Sequence, residues 1–165
     1  LPQTRAFATS QRVDIPPEQQ RLLTAMAGTW LGEERLAPTP WDPRGGTAVG
    51  RTQARAGIGG LTVLADYAEE RDGAIVFRGH GVYAWDTVGQ TYCMYWFDSV
   101  LPCPTHLPSR GSWDGDTLTF DIPGDEADYR YVYDFLTPGF YEFRIEYRTG
   151  EDPWAIAMRG EYVRQ

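Results

Sequence analysis

From Gly28 to the C-terminus the hydrophobic and polar positions alternate with the two-residue period of half-buried strands, broken at short intervals by turn residues. The runs fall at 28–36, 48–57, 61–71, 74–86, 90–98, 108–114, 117–123, 128–136, 140–148 and 154–164. Asp72-Gly73, Val88-Gly89, Asp114-Gly115 and Pro138-Gly139 mark hairpin turns between them. Ahead of the strands, Pro16 and Pro17 lead into one short helix over 18–26, with Glu18 in its first turn and Gly28 beyond its end. Leu22, Leu23 and Met26 form its apolar stripe, enough to cap a larger body and too little for a bundle. Residues 1–14 show no period and read as an arm. The expected fold is all-β, a single up-and-down antiparallel barrel of about ten strands over 15–165, closed so that no edge is exposed. Its longest loops are 38–46, with Trp41, and 101–108.

Turn geometry fixes which residues oppose each other, and parity then assigns faces. Closing the last hairpin at Thr137-Pro138-Gly139 sets Leu136 opposite Phe140. Tyr133 then faces Phe143, Tyr131 faces Ile145 and Tyr129 faces Tyr147. The other face pairs Arg130 with Glu146 and Asp128 with Arg148, so one side is aromatic and the other ionic. In the middle strands, an Asp72-Gly73 turn puts Tyr67 opposite Arg78, Ala65 opposite His80 and Val63 opposite Val82. A Thr87-Val88-Gly89 loop puts Ala84 opposite Tyr92, Val82 opposite Met94, His80 opposite Trp96 and Arg78 opposite Asp98. That face, the more aliphatic, is expected inside. The other carries Asp66, Glu70, Gly79, Gly81, Tyr83, Tyr95 and Phe97, with Tyr95 and Phe97 covering the bare glycines.

A candidate site follows from that register. Tyr67, Arg78, His80, Tyr92, Met94, Trp96 and Asp98 would line one patch of the lumen. Two readings of it stand level. In one, Arg78 and Asp98 form a buried ion pair that fixes register, with His80 and Tyr67 completing its hydrogen bonds. In the other, Arg78 and Tyr67 anchor the acidic or polar head of a small, partly hydrophobic ligand whose tail packs on Trp96 and Met94. A hydrolase or isomerase using His80 with Asp98 as acid and base is a thinner alternative, since no nucleophile motif accompanies the pair. A third is a filled barrel acting as an interaction module, with a homodimer formed through Tyr83, Trp85, Tyr95 and Phe97.

Composition narrows the partners. The net charge is −8 over 165 residues and the chain has no basic stretch, which argues against nucleic acid or an anionic membrane surface. All 15 basic residues are Arg; Lys and Asn are absent, as GC-rich codon usage would produce. Cys93 and Cys103 suit free thiols in a reducing cytoplasm, where the chain is expected. His80 and His106, the latter on a surface loop between prolines, make no metal set.

Gly28-Thr29-Trp30 after a short helix, with Tyr162-Val163-Arg164 at the end, resembles the calycin pattern of lipocalin-like and fatty-acid-binding barrels. The resemblance implies that Trp30 stacks with Arg164 to seal the barrel bottom. The segments 79–86, 95–99 and 111–118 are similar to a bacterial family of calycin-like domains of unassigned activity, and the likeness runs over about residues 20 to 165. Nitrobindins, a haem-binding branch of that superfamily, hold iron through a histidine near the C-terminal end. The corresponding stretch here, Ala155-Ile156-Ala157-Met158-Arg159, has none, so no cofactor is expected.

Overall fold

The computed structural model describes residues 14–40, 42–105 and 107–165. Most of the expected arm, Trp41 and His106 lie outside them. The helix α1 spans Pro17–Met26, and ten strands follow: β1 Gly28–Leu36, β2 Gly46–Gly57, β3 Thr62–Arg71, β4 Ala74–Asp86, β5 Thr91–Asp98, β6 Ser109–Asp114, β7 Thr117–Ile122, β8 Asp128–Thr137, β9 Phe140–Arg148 and β10 Ala155–Arg164. Every strand pairs antiparallel with its neighbours in sequence, and β1 pairs with β10 to close the barrel. The expected barrel is present, with each strand within two residues of its predicted start and end.

The helix starts on Pro17, whose missing N–H would be unpaired there in any case. It ends where Ala27 turns extended, and Gly28, at φ 139°, opens β1. Gln19, Leu22 and Met26 are its buried positions. Gln19 Oε1 accepts a 2.8 Å hydrogen bond from the Trp85 N–H, and the Arg21 guanidinium lies 4.2 Å from the Trp113 ring centre. These contacts fix α1 over the end of the barrel where β4 finishes. At the same end the Arg164 guanidinium sits 4.6 Å from the Trp30 ring centre, and the Trp30 indole donates to Met26 O at 2.8 Å. The stacked closure expected from the resemblance is therefore present.

The β8–β9 hairpin has the predicted pairings from Asp128↔Arg148 to Tyr133↔Phe143. Its tip differs: a bulge after Asp134 brings Thr137, not Leu136, opposite Phe140 and leaves Leu136 exposed. Outside, Arg130 meets Glu146 at 2.5 Å and Arg144 meets Glu142 at 2.9 Å and Glu146 at 3.1 Å. Inside, Tyr133 and Phe143 pack at 4.7 Å between ring centres. The ionic and aromatic faces fall as their alternation requires.

The middle strands correct the predicted register. The Asp72-Gly73 turn forms, but Glu70 pairs with Ile75 and Glu69 with Phe77, so Val76 is an extra residue on β4. Tyr67 consequently opposes Gly79, not Arg78, and Asp66 opposes His80. The next loop has four residues, not three: Asp86 pairs with Thr91, and Asp86 Oδ1 accepts the N–H groups of Val88 and Gly89, each at 3.0 Å. Gln90, at φ 50°, completes the turn instead of starting β5. The two one-residue slips cancel across β4. Faces predicted for β3 and β5 hold, while β4 alone is inverted, with Phe77, Gly79, Gly81, Tyr83 and Trp85 on the inner side.

Candidate functional site

The barrel encloses a cavity of about 490 Å³. It starts near Met26 and Trp30 at the helix-covered end and reaches Ala37, Thr39, Asp42 and Arg71 at the far rim. The wall between is mostly aromatic and aliphatic, with Trp96, Tyr131, Phe143 and Met158 among its residues. Asp42 and Arg71 have side chains 31% and 29% exposed, so the rim meets solvent. The lumen is not plugged by its tyrosines, as a filled barrel would require.

Two of the predicted site residues, Tyr67 and Trp96, line this cavity. Tyr92 and Met94 point inward but are packed into the core: Tyr92 sits against Trp85 and Trp113, and its hydroxyl donates to Glu18 O at 3.3 Å. Asp98, at the end of β5, is not among the lining residues. One of its oxygens accepts the Trp96 indole N–H at 3.2 Å, and the other accepts the N–H groups of Val100 and Leu101 at 2.9 and 2.7 Å. It orients Trp96 and holds the turn after β5.

Arg78 and His80 are the corrections. The inverted parity of β4 places both on the outer face, where Arg78 is exposed. His80 Nδ1 lies 2.7 Å from Asp66 Oδ1, with side chains 42% and 63% exposed. His80 and Asp98 thus occupy opposite faces of the sheet and form no acid–base couple. The same inversion brings Tyr83 and Trp85 inside, removing two of the four aromatics from the proposed outer dimer patch; Tyr95 and Phe97 remain on it. Gly79 and Gly81 are covered from within: a Cβ at Gly79 would lie 2.6 Å from Trp96 Cη2, and one at Gly81 2.9 Å from Tyr83 Oη. The glycines exist to admit lumen aromatics, not to be shielded by Tyr95 and Phe97.

Sequence reasoning missed the polar end of the cavity. Glu34, on β1, is 1% exposed. It accepts hydrogen bonds from the Tyr67 hydroxyl at 2.8 and 3.0 Å and from the Tyr162 hydroxyl. Burial is the main influence on its carboxyl and pushes its pKa above the usual glutamate range. The two phenol donors and Arg71 pull the other way, and Glu69 adds to the rise. Beside it, Glu69 pairs with Arg71 at 2.6 Å, and Arg71 reaches Asp42 at 3.5 Å. The signal was parity: Trp30 inward implies Gly32 and Glu34 inward, and Tyr67 inward implies Glu69 and Arg71.

Three glycines make room for this group. A Cβ at Gly32 would lie 2.6 Å from the Tyr162 ring, one at Gly160 2.8 Å from it, and one at Gly50 2.9 Å from Glu34 Cδ. The Tyr162 ring stacks on Tyr141 at 4.7 Å and 5°. Burial holds the lumen phenols Tyr67, Tyr83, Tyr131, Tyr133, Tyr141 and Tyr162 neutral well above pH 10, with Tyr83 pushed up to about 12. Among the described residues no histidine lines the cavity, no group of side chains could hold a metal ion, and no helix is long and apolar enough to cross a membrane. Cys93 is buried, Cys103 is exposed, and both are free.

Fold and cavity together define a closed antiparallel barrel that encloses space within its sheet. The chain belongs to the family described as "Protein of unknown function (DUF1579)", whose model matches residues 15–164. Among solved structures it is similar to Rv2717c from M. tuberculosis, with a TM-score of 0.57 and 15% identity, over 92% of this chain and 99% of that one. At that identity the likeness concerns the fold alone. No curated protein matches the chain.

Proposed function

We propose that the barrel binds a small, largely apolar organic molecule whose polar head rests against Tyr67 and Tyr162 near the rim. The observation that carries this reading is the cavity itself. About 490 Å³ falls within the usual range of small-molecule sites, and its apolar wall ends in a few convergent polar groups. A lipocalin-like carrier or sensor role fits that arrangement. Hydrophobic burial would supply affinity, and the phenol–carboxylate group would set orientation.

Binding is tested with a neutral aromatic probe, naphthalen-2-ylmethanol, titrated calorimetrically. Ala65 faces the lumen beside Ala54, so Ala65→Phe places a ring in the cavity. Saturable one-to-one binding is expected for the native chain, weakened at least about tenfold in the variant, a change of roughly 1.4 kcal/mol. Circular dichroism checks that the variant keeps its strands. Absence of saturable binding, or equal affinity in a folded variant, refutes the reading.

A further inference from the structure

We infer that the cavity selects a cationic head group, a protonated amine on an apolar body, over a carboxylic acid. The inference rests on the binding reading above and goes on to name the ligand class. Three observations converge on it.

The first is the direction of the hydrogen bonds. The Tyr67 and Tyr162 hydroxyls both donate to the Glu34 carboxyl oxygens. Each phenol proton is thereby committed to Glu34, so these two cavity-lining residues have lone pairs and no free proton to offer a ligand. A ligand must bring the donors.

The second is charge. The charged side chains on the wall are Asp42, Glu69 and Arg71, with Glu34 hydrogen-bonded to Tyr67 and Asp98 to Trp96. Arg71 is the one base among these five groups, and it is engaged by Glu69 at 2.6 Å and Asp42 at 3.5 Å. Outside the rim Arg44 and Asp72 add opposite charges. A carboxylate head would meet like charge with its cation already paired. An ammonium would meet carboxylates and phenol oxygens, in surroundings drier than water where such contacts are stronger. The acid head suggested by an inward Arg78 loses its anchor once Arg78 is outside.

The third is the aromatic wall at the same level. Tyr67 lies 6.0 Å from Phe77 and 6.3 Å from Trp96, and Trp96 lies 6.4 Å from Tyr131, all between ring centres. Their faces suit a cation as well as an apolar body.

The test compares three probes that share one ring system: naphthalen-2-ylmethanamine, naphthalen-2-ylmethanol and 2-naphthoate, titrated calorimetrically at pH 7. The amine is expected to bind at least tenfold more tightly than the acid, with the alcohol between them. Glu69→Gln should narrow the amine-to-acid ratio while leaving alcohol affinity within about twofold, and Tyr67→Phe, which removes a head-group contact, should weaken the amine more than the alcohol. Because Tyr67→Phe could loosen the Glu34 group, Glu69→Gln near the rim is the variant to rely on if thermal melting shows a loss of fold. Acid binding as tight as the amine overturns the inference while the alcohol result upholds the binding reading. Failure of all three probes overturns both.

Discussion

Gly50→Ala should be among the most damaging small substitutions in the barrel, because the space beside Gly50 is occupied by the buried Glu34–Tyr162 hydrogen bond. The added methyl would fall on the Tyr162 hydroxyl and Glu34 Oε1, and 2.9 Å from Glu34 Cδ. Neither partner can retreat. The Tyr162 ring is held against Gly32 and Gly160 and stacked on Tyr141, and the Glu34 carboxyl is also tied to Tyr67. Overpacking of this kind costs about 1–3 kcal/mol. If the methyl also separates phenol from carboxylate, a hydrogen bond to a charged group is lost, worth about 1.5–3 kcal/mol. A total near 3 kcal/mol would be a large share of the roughly 5–15 kcal/mol that holds a domain together. For a chain of this size it corresponds to a fall of roughly 6–12 °C in melting temperature. Urea unfolding followed by tryptophan fluorescence measures it directly. The mechanism is isolated by Tyr162→Phe, which removes one of the colliding atoms. In that background Gly50→Ala should cost at least about 1 kcal/mol less. A variant within 0.5 kcal/mol of the native chain, or strictly additive costs in the pair, would refute the reasoning, with 0.5 kcal/mol being about the limit for neutral surface changes.

Strand positions were legible because alternation and turn residues act locally. Asp128↔Arg148 and Tyr133↔Phe143 needed only a hairpin count, and both are present. Register across β4 was not legible, because each of its boundaries hides one residue. The bulge at Val76 leaves no composition signature, and Asp86 lengthens the following turn through its own side chain. Each slip inverts a face, so two slips inverted one strand and restored the next. Asp66 held the missing clue. Left as an unpartnered acid on the outer face, it is the residue that His80 meets there. The polar end of the cavity was legible in principle. Parity carried from Trp30 to Glu34 along β1, and from Tyr67 to Arg71 along β3, identifies its charged members. What parity cannot give is that Glu34 and Tyr162, 128 residues apart, meet across the β1–β10 seam that closes the barrel.

The remaining predictions separate the inner group from the outer one. His80→Ala should leave stability within about 0.5 kcal/mol of native and probe binding unchanged, since an exposed pair contributes little; a larger loss in urea, or weakened binding, would contradict the outward placement. Arg164→Ala should lower stability by about 0.5–1 kcal/mol through loss of the contact over Trp30, read as a shift in the urea midpoint, and no change would deny that contact a part in closure. Glu34→Gln tests the buried carboxyl through pH. Burial raises the folded pKa above the ordinary glutamate value, so the folded state holds its proton more tightly than the unfolded chain. The favourable contribution is complete below the unfolded pKa and is lost as pH rises through the folded value. Gln carries no such proton, so the stability of Glu34→Gln minus that of the native chain should climb as pH rises from below 4.5 and level off above the folded pKa. Other carboxylates titrate in both proteins and largely cancel in the difference. A difference that falls over this range would mean that the Tyr67 and Tyr162 donors outweigh burial, and that Glu34 is a stabilised carboxylate instead of a strained one.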